Sequence, residues 1–415
     1  MYKITKVIGR EILDSRGNPT VEATVYCKNK FSTAMVPSGA STGKYEAVEL
    51  RDNEKNRYHG KGVQKAVHNI HLIGQKLKGF DIREQSNIDN FMIDYDGTHD
   101  KSKLGANSIL AVSLACARLR SLVEDKPLYS YFGNEKRLPV PFFNIINGGK
   151  HADNKLSFQE FMIAPVKAKN FEQALRIGSE VYHQLKKDLR KKYGKGSTNI
   201  GDEGGFAPNK LQKVYQPLKI IMKSVKELGY EKKVKIAIDS AASEFYNHKM
   251  YKVDGWWLKP HKLVKLYEHL VEQYPIISIE DPFDQEDYLN WRELKDRIGN
   301  KVQIVGDDLL VTNVENIDFA KKYDLCNALL LKLNQIGTLT ESLSAAKLAY
   351  KDNWNIMVSH RSGETIDPFI SDFVVGLGCG QIKSGAPCRG ERIAKYNRLL
   401  RIEQELGKKS IYTFK

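Results

Sequence analysis

Six short apolar segments in the C-terminal two-thirds of the chain each run into a charged residue and then into a helix-like stretch. The charged residues are Asp239, Glu280, Asp307, Lys332, His360 and Lys383. Neighbouring members are 23 to 41 residues apart, and a strand, loop, helix and return loop of a parallel α/β protein takes roughly 25 to 40 residues. The C-terminal ends of consecutive parallel strands converge on one mouth. We therefore expect these six side chains to face a single site.

The first three of these residues, Asp239, Glu280 and Asp307, are carboxylates. Any one of them alone is better explained as the N-cap of the following helix. Three carboxylates that face one another repel strongly unless a cation lies between them, so three in series favour a metal site. Hard oxygen ligands without His or Cys indicate Mg²⁺ or Mn²⁺ rather than Zn²⁺.

Lys332 lies at the next strand end, beside the expected cation. A lysine close to positive charge and partly removed from water has a lowered pKa and can act as a general base. A salt bridge to one of the carboxylates is the alternative role. The two remaining strand ends add a guanidinium, an ammonium and a hydroxyl suited to binding an anion. These groups belong to the segment of His360, Arg361 and Ser362 and to Lys383.

Residues from earlier in the chain complete the expected site. His151, Gln159 and Glu160 come from the first part of the alternating region, and Glu203 comes from the Gly-flanked sequence GDEGG. If Glu160 and Glu203 lie close together, they cannot both ionise easily, so one stays protonated near neutral pH as a general acid. A metal, a lysine base, a carboxylic acid and phosphate-binding cations together indicate proton abstraction next to a carboxylate, followed by loss of a hydroxyl group.

Two regions must position these groups. Residues 1–135 combine alternating strand-like segments, ITKVIGREIL and TVEATVYC, with a run of helical stretches, which predicts a smaller α+β domain. Residues 136–415 alternate strands and helices, as is typical of a parallel α/β barrel of about 250 residues. The segment KRLPVPFFNIINGG, with two prolines before an apolar run, marks the crossing between the two regions.

The composition is that of an ordinary soluble globular protein, with 41% hydrophobic and 28% charged residues. The charged first residues do not fit a signal peptide, and no segment approaches the ~18 uninterrupted apolar residues of a membrane span, so we expect a cytoplasmic protein. Five scattered cysteines without a CxxC pair favour reduced thiols. The net charge of +15 is spread over lysines without interleaved aromatics, which predicts solvated surface and no specific nucleic-acid site.

Two glycine-rich stretches resemble nucleotide-binding loops only weakly. SGASTGKY at 38–45 has the wrong glycine spacing and has Tyr45 where a P-loop needs Ser or Thr. VGLGCG at 375–380 lacks the G-x-G-x-x-G spacing. A loop that closes over a ligand is the better functional interpretation of residues 38–43, and a plain surface turn is the alternative.

The motifs taken together resemble the enolase family. The matching stretches cover both regions in order and include ILDSRGNPTVE, VPSGASTG, LGANSILAVSLA, NIINGGKHADN, GDEGGFAPN, SIEDPF, GDDLLVTN, LLLKLNQIGTLTES, SHRSGET and IKSGAP. The resemblance implies a modified TIM-type barrel of order ββαα(βα)₆, with its first strands not all parallel, preceded by a smaller α+β N-terminal domain. It also implies a glycolytic carbon–oxygen lyase, phosphopyruvate hydratase, which reversibly dehydrates 2-phospho-D-glycerate to phosphoenolpyruvate and water.

The resemblance also implies a role for each candidate residue. Lys332 is the base that removes the carbon-2 proton, and Glu203 is the acid that protonates the carbon-3 hydroxyl, with Glu160 keeping it protonated. Two Mg²⁺ bind per site: the first on Asp239, Glu280 and Asp307, the second arriving with substrate and using Ser41. The implied substrate contacts are His151, Gln159, Glu160, His360, Arg361, Ser362 and Lys383.

Partners follow from the same resemblance. It implies a homodimer formed through the N-terminal domain, with octamers in some bacterial members. A dehydratase or racemase for another hydroxy acid stays open, although the SGAST loop and the phosphate-binding edge argue against it. A binding protein also stays open, because enolase-like chains act as plasminogen receptors at cell surfaces and as scaffolds in RNA-degrading complexes. Lys408, Lys409 and Lys415 would suit plasminogen and a secondary cell-surface or secreted pool; a solvated tail is the alternative.

Overall fold

An antiparallel sheet and three helices form the N-terminal part of the protein. The computed structural model describes residues 2–39 and 43–414. The sheet has the order β1-β2-β3; β1 and β3 each carry both buried and exposed side chains, whereas the central strand β2 is largely buried. The elements are β1 (Ile4–Leu13), β2 (Pro19–Cys27), β3 (Lys30–Met35), α1 (Gln64–Leu77), α2 (Gln85–Asp96) and α3 (Ala106–Glu124).

The third helix is the centre of this domain. Among residues 2–39 and 43–414, α3 alone is long and apolar enough to cross a membrane by length and composition. It packs against β2, β3, α1 and α2, and 78% of its most apolar window is buried inside the protein. A helix that is apolar on all sides fits the middle of a folded core.

Eight of the later strands close a barrel. The strands after α3 are β4 (Arg137–Leu138), β5 (Val140–Asn147), β6 (Glu160–Ala164), β7 (Lys235–Asp239), β8 (Tyr246–Asn247), β9 (Met250–Val253), β10 (Trp256–Leu258), β11 (Ile276–Glu280), β12 (Gln303–Gly306), β13 (Ala328–Leu331), β14 (Asn355–Ser359), β15 (Gln381–Lys383) and β16 (Ile411–Tyr412). The barrel runs β5-β6-β7-β11-β12-β13-β14-β15 and closes back on β5. Only β6 runs antiparallel to its two barrel neighbours.

Helices surround the barrel. They are α4 (Phe171–Tyr193), α5 (Tyr215–Glu227), α6 (Pro260–Gln273), α7 (Tyr288–Ile298), α8 (Val314–Lys322), α9 (Leu333–Ile336), α10 (Leu339–Lys351), α11 (Phe369–Leu377) and α12 (Gly390–Leu406). Because α4 and α5 both separate β6 from β7, the chain follows the order ββαα(βα)₆. The modified barrel preceded by a smaller α+β domain, which the sequence predicts, is confirmed.

Side chains fill the inside of the barrel below its mouth. Val140, Phe142, Met162, Ala237 and Leu330 belong to this interior cluster and are all buried. A polar contact lies among them: the Gln303 amide donates to Ser278 Oγ at 3.0 Å and to Gln381 Oε1 at 2.8 Å. The barrel is therefore a packed core, and its chemistry is confined to the end where the strand tips meet.

The N-terminal domain is fastened to that end of the barrel. Ser38 and Gly363 exchange two backbone hydrogen bonds of 2.7 and 2.9 Å. Both terminal nitrogens of Arg118, on α3, contact the Asp367 carboxylate, and Nη1 donates to Oδ2 at 3.0 Å. These contacts join Ser38 and α3 to the segment that follows β14.

Candidate active site

The structure brings five of the six charged strand ends to the lining of one cavity, with Glu280 next to it. Asp239, Glu280 and Lys383 are the last residues of β7, β11 and β15. The cavity is lined by His151, Gln159, Glu160, Glu203, Asp239, Asp307, Lys332, Ser359, His360, Arg361, Ser362 and Lys383. Glu280 is buried behind Lys383 instead of lining the cavity, and Ser41 lies outside the described residues. The predicted residues otherwise share one small polar site.

Lys383 is the charge centre of the site. Its Nζ lies 2.8 and 2.9 Å from the two oxygens of Glu280, 3.1 Å from Asp239 Oδ2 and 3.2 Å from Glu160 Oε2. Burial lowers the pKa of Lys383, but these carboxylates outweigh it and raise the pKa well above its ordinary value. Glu280 and Asp239 lie opposite each other in register on β11 and β7, which is why one ammonium can reach both.

Lys332 pairs with the third carboxylate of the predicted metal site. Its Nζ donates to Asp307 Oδ2, while Gln335 donates to Asp307 Oδ1 at 2.8 Å. Burial lowers the pKa of Lys332, but the charge of Asp307 outweighs it and the pKa is raised. The expectation of a lowered lysine pKa assumes a cation beside Lys332 and stays a prediction; in this arrangement the nearest charge is the Asp307 carboxylate.

The three carboxylates of the predicted metal site pair with two different lysines. In the part of the chain that the structure describes, the potential ligand atoms that gather within 4.8 Å belong to His151, Glu160 and Glu203, and to Asp281, Asp307 and Asp308. Asp239 and Glu280 turn to Lys383 and Asp307 turns to Lys332, so they do not form such a group. Their oxygens nevertheless fit a divalent cation, because they are hard, buried donors that carry negative charge.

Glu160 and Glu203 lie close enough to share a proton. His151 Nδ1 is 3.3 Å from Glu160 Oε1 and 3.6 Å from Glu203 Oε1. Burial and the charge of Glu203 raise the pKa of Glu160 to about 7. Burial also raises the pKa of Glu203, but the charge of His151 and the imidazole of His360 outweigh it, so the pKa falls well below its ordinary value.

These pKa directions favour the proton on Glu160, and the sequence expectation that Glu203 carries it as the acid stays a prediction. The surroundings of Glu203 explain its lowered pKa. The Asn144 amide donates to Glu203 Oε2 at 2.9 Å, and His360 Nε2 lies 3.3 Å from the same oxygen. Both groups stabilise a carboxylate.

Arg361 and Ser362 occupy the opposite edge. The Arg361 guanidinium forks onto Glu46 at 2.9 and 3.3 Å and also donates to Asn334 Oδ1 at 3.2 Å. Ser362 Oγ accepts from Arg16 Nη1 at 3.4 Å. The expected anion-binding groups are thus buried and already engaged with the N-terminal domain, so an incoming anion competes with Glu46 for the guanidinium.

Two further observations indicate a functional site. Among the described residues, the buried oxygens Gln159 Oε1 and Asn144 Oδ1 beside the site have no hydrogen-bond partner. Gln159 makes a long contact of 3.4 Å from its amide to Asp239 Oδ2. Unsatisfied buried groups are costly, so they mark a place where a ligand completes the bonding.

Several residues just after the strands that carry the carboxylates have a strained backbone. Ala241, Asp281, Val311 and Thr312 have φ between 41° and 57°. Such left-handed conformations cost about 1–3 kcal/mol each in non-glycine residues and cluster at functional sites. The Asp281 carboxylate secures one of these turns by accepting from the backbone N–H groups of Asp307 and Asp308 at 2.8 and 2.9 Å.

Several residues that contact the site are not among the sequence candidates. Asn144 contacts Glu203, Glu46 contacts Arg361, and Arg392 contacts His360. Asp281 and Gln335 both contact Asp307. Asn144, Asp281 and Gln335 stand within the motifs NIINGG, SIEDPF and LNQIG, so motif membership was the available signal. Arg392 lies on a helix of ordinary amphipathic pattern and gave no such signal.

Comparison with known proteins gives a consistent result for the whole chain. The family described as "Enolase, N-terminal domain" matches residues 4–132, and "Enolase, C-terminal TIM barrel domain" matches residues 135–415. The chain is 52% identical to a protein named "Enolase" from Mastigamoeba balamuthi over 433 aligned positions, covering 100% of this chain and 98% of that protein. Together with the barrel and its polar mouth, these matches show that the chain belongs to the enolase family.

Proposed function

We propose that this chain catalyses the Mg²⁺-dependent reversible dehydration of 2-phospho-D-glycerate to phosphoenolpyruvate and water. The observation that carries the proposal is the pairing of opposite proton-transfer groups across one cavity. Lys332 lies on one side with Asp307, and Glu203 lies on the other with His151 and His360. An elimination needs a base at carbon 2 and an acid at the carbon-3 hydroxyl, and Lys332 and Glu203 are the groups proposed for these two roles.

The metal belongs to the proposal as well. Asp239, Glu280 and Asp307 would hold the first Mg²⁺, and Ser41 would take part in holding a second that arrives with substrate. When bound, Mg²⁺ supplies positive charge that acidifies the carbon-2 proton and competes with the lysines for their carboxylates. The fit rests on the oxygen donors and on the burial of all three carboxylates.

The protein's own groups then act in order. Lys332, released from Asp307, takes the carbon-2 proton. Arg361, Ser362 and Lys383 bind the phosphate and carboxylate of the substrate, with His151 and Gln159 at the far side. Glu203 gives a proton to the carbon-3 hydroxyl, drawing on the proton that it shares with Glu160, and water leaves. Each proton transfer contributes on the order of 10² to 10⁴ in rate.

A direct assay tests the function. Phosphoenolpyruvate absorbance is followed after 2-phospho-D-glycerate and Mg²⁺ are added to the purified protein. We expect formation of product that stops on chelation of the metal and resumes on its return. Absence of product at every magnesium concentration would sink the proposal.

Assembly, partners and location form a second part of the proposal. We propose that residues 1–135 form the dimerisation domain of a cytoplasmic homodimer and residues 136–415 the catalytic domain. Exposed apolar side chains on the N-terminal domain support a subunit contact, since Leu13, Phe31 and Leu122 are 55%, 58% and 44% exposed. Light scattering on the purified protein distinguishes monomer, dimer and octamer, and fractionation of cells tests the location.

Plasminogen binding is proposed as an accessory role of a surface or secreted pool. Lys408 and Lys409 are exposed in the turn after α12, and Lys415 lies outside the described residues. Surface plasmon resonance with plasminogen, with and without a free lysine analogue, tests it. Unchanged binding after Lys408 and Lys409 are replaced by Gln would remove these residues from the role.

A further inference from the structure

One buried guanidinium ties together the two loops on the acid side of the cavity. Arg392, in the first turn of α12, has no exposed surface. Its Nη1 donates to the carbonyl of Arg361 at 2.6 Å. Its Nη2 donates to the carbonyls of Ser362 and Asp202 at 2.5 and 3.1 Å. Arg392 therefore joins the loop after β14 to the loop that carries Glu203.

The same guanidinium determines where the proton of His360 lies. Arg392 Nη1 is 2.7 Å from His360 Nδ1. A guanidinium carries only N–H donors and keeps its proton at every accessible pH, so Nδ1 must be the acceptor. A neutral imidazole has one N–H, which must then be on Nε2.

The other ring nitrogen faces the proposed acid. His360 Nε2 lies 3.3 Å from Glu203 Oε2, and the imidazole is fully buried between Arg392 and Glu203. Burial and the nearby guanidinium lower the pKa of His360 to about 4, so the ring stays neutral near neutral pH. His360 thus carries its N–H on the nitrogen nearest Glu203, 3.3 Å from Oε2, although the two atoms do not meet the geometry of a hydrogen bond in this structure. The neutral ring neither takes up nor releases a proton near neutral pH.

We propose that Arg392 is a positioning residue for the acid step: it locks His360 as the Nε2–H tautomer, so that Glu203 meets an N–H donor when it becomes a carboxylate. In that step the Glu203 O–H bond breaks and its proton joins the carbon-3 hydroxyl. The carbon–oxygen bond breaks as water leaves, and the electron pair at carbon 2 forms the double bond. The opposite tautomer would turn a lone pair toward the new carboxylate and oppose the transfer. The inference rests on the proposed role of Glu203.

Arg389 offers a matched control on the same turn of the chain. Its Nε donates to the carbonyl of Gly201 at 3.0 Å, so it also ties α12 to the loop of Glu203. No contact joins it to His360 among residues 2–39 and 43–414. A change at Arg389 therefore tests loop anchoring alone, whereas a change at Arg392 tests anchoring and the tautomer together.

The first experiment reads the tautomer without any turnover. Imidazole ¹⁵N chemical shifts of His360, assigned with a His360→Asn variant, distinguish protonated from unprotonated ring nitrogens. We expect bare Nδ1 and protonated Nε2 in the parent protein and in Arg389→Met, and a mixture of tautomers in Arg392→Met. Arg392→Lys, which keeps one donor at this point, should restore part of the Nε2–H form and guards against misfolding of the Met variant. A protonated Nδ1 in the parent protein, or an unchanged tautomer in Arg392→Met, overturns the proposal.

The second experiment separates the two proton transfers. Exchange of the carbon-2 proton with solvent deuterium reports the base, and phosphoenolpyruvate formation reports the acid. In Arg392→Met we expect product formation to fall on the order of 10²-fold relative to exchange, whereas Arg389→Met keeps the ratio. Equal loss of both rates in Arg392→Met would mean a purely structural role. If the parent protein shows neither exchange nor product, the proposed function is wrong. The ¹⁵N chemical shifts then still test whether Arg392 fixes the tautomer of His360.

Discussion

The ammonium of Lys383 bridges both oxygens of Glu280, at 2.8 Å from Oε1 and 2.9 Å from Oε2. The same nitrogen reaches Asp239 Oδ2 at 3.1 Å. A lysine thus takes the place between carboxylates that the sequence argument gives to a metal ion. The Lys383 ammonium and a bound metal ion must therefore compete for the oxygens of Glu280 and Asp239.

Replacing Lys383 by Met should make the protein depend on Mg²⁺ for stability. Removing one partner of a buried ion pair costs roughly 3–5 kcal/mol, because the remaining carboxylates stay uncompensated. Urea unfolding in chelator should show this loss, and Mg²⁺ should restore more stability to the variant than to the parent protein. Lys395→Met is the control, since Lys395 is a buried lysine paired with Glu364. Equal magnesium effects in both variants would contradict the competition.

Asp239→Asn, Glu280→Gln and Asp307→Asn should each weaken the binding of Mg²⁺. A ligand that binds only the folded state stabilises it by about 2.7 kcal/mol at 100 times its dissociation constant, and each variant should lose most of that gain. Calorimetric titration and thermal unfolding measure it. Asp188→Asn is the control, because that carboxylate is also buried but binds Lys223 and Ser224 on α5. If the control loses as much affinity, the loss is not specific to the site.

Lys332→Ala and Glu203→Gln should separate the two halves of the reaction. Without Lys332, the carbon-2 proton should stop exchanging with deuterium, with a loss on the order of 10² to 10⁴. Glu203→Gln should retain exchange but lose product formation, because the amide cannot protonate the hydroxyl. Nuclear magnetic resonance of the substrate in deuterated water measures exchange. Similar exchange in the two variants would show that base and acid are wrongly assigned.

The pKa of Glu160 should appear in the pH dependence of stability. In the folded protein this pKa is raised from 4.5 to about 7 by burial and by the charge of Glu203. The folded state holds the proton more tightly, so the stabilising contribution is present at low pH and is lost as pH rises toward 7. Glu160→Gln cannot lose a proton. Between about pH 5 and about pH 8, the unfolding free energy of this variant should therefore fall by roughly 2 to 3 kcal/mol less than that of the parent protein.

Urea unfolding of Glu160→Gln and the parent protein in chelator measures that difference. Glu231→Gln, which changes an exposed carboxylate, should leave the pH profile of the parent protein intact. The same decline in Glu160→Gln and the parent would mean that Glu160 is already ionised at low pH in the folded protein.

Gly363→Ala should disturb substrate binding more than the chemical step. A Cβ at this position would lie 2.6 Å from Asp14 Oδ2 and also press on Ser38, whose backbone pairs with Gly363. Overpacking of this kind costs typically about 1–3 kcal/mol. Steady-state kinetics should show a raised KM with a smaller change in kcat. Gly196→Ala, where a Cβ meets no neighbour, is the control. A fall in kcat alone would indicate that the contact between Ser38 and Gly363 does not affect substrate binding.

The sequence predicts those parts of the site that follow a regular rule. Asp239, Glu280, Asp307, Lys332, His360 and Lys383 all stand where parallel strands end, so spacing alone predicts their convergence. The order of the charges inside the cavity follows no such rule. Lys383 pairs with Glu280, and Lys332 pairs with Asp307. A buried charge is stabilised by the nearest opposite charge, and which charge is nearest depends on the three-dimensional fold.

Other contacts escape sequence reasoning because they join distant segments. Arg392 contacts His360 and Asp202, which are 32 and 190 residues away. Arg361 contacts Glu46, 315 residues away and in the other domain. No local pattern records such a pairing, because the partners lie in separate segments of the chain.

The reversed course of β6 also has a consequence for how the barrel tolerates insertions. In the parallel strands the residues that face the mouth stand at the strand's end, so added residues before the strand leave them next to the loop that they serve. In β6 the order is inverted: Gln159 and Glu160 stand where the strand begins. The pairing of Glu160 with Asp239 and the bond from the Gln159 N–H to the Asp239 carbonyl fix this register. An extra residue inside β6 would move the first residues of the strand relative to Asp239 and turn side chains to the opposite face, whereas one after Ala164 would lie on the far rim, away from both.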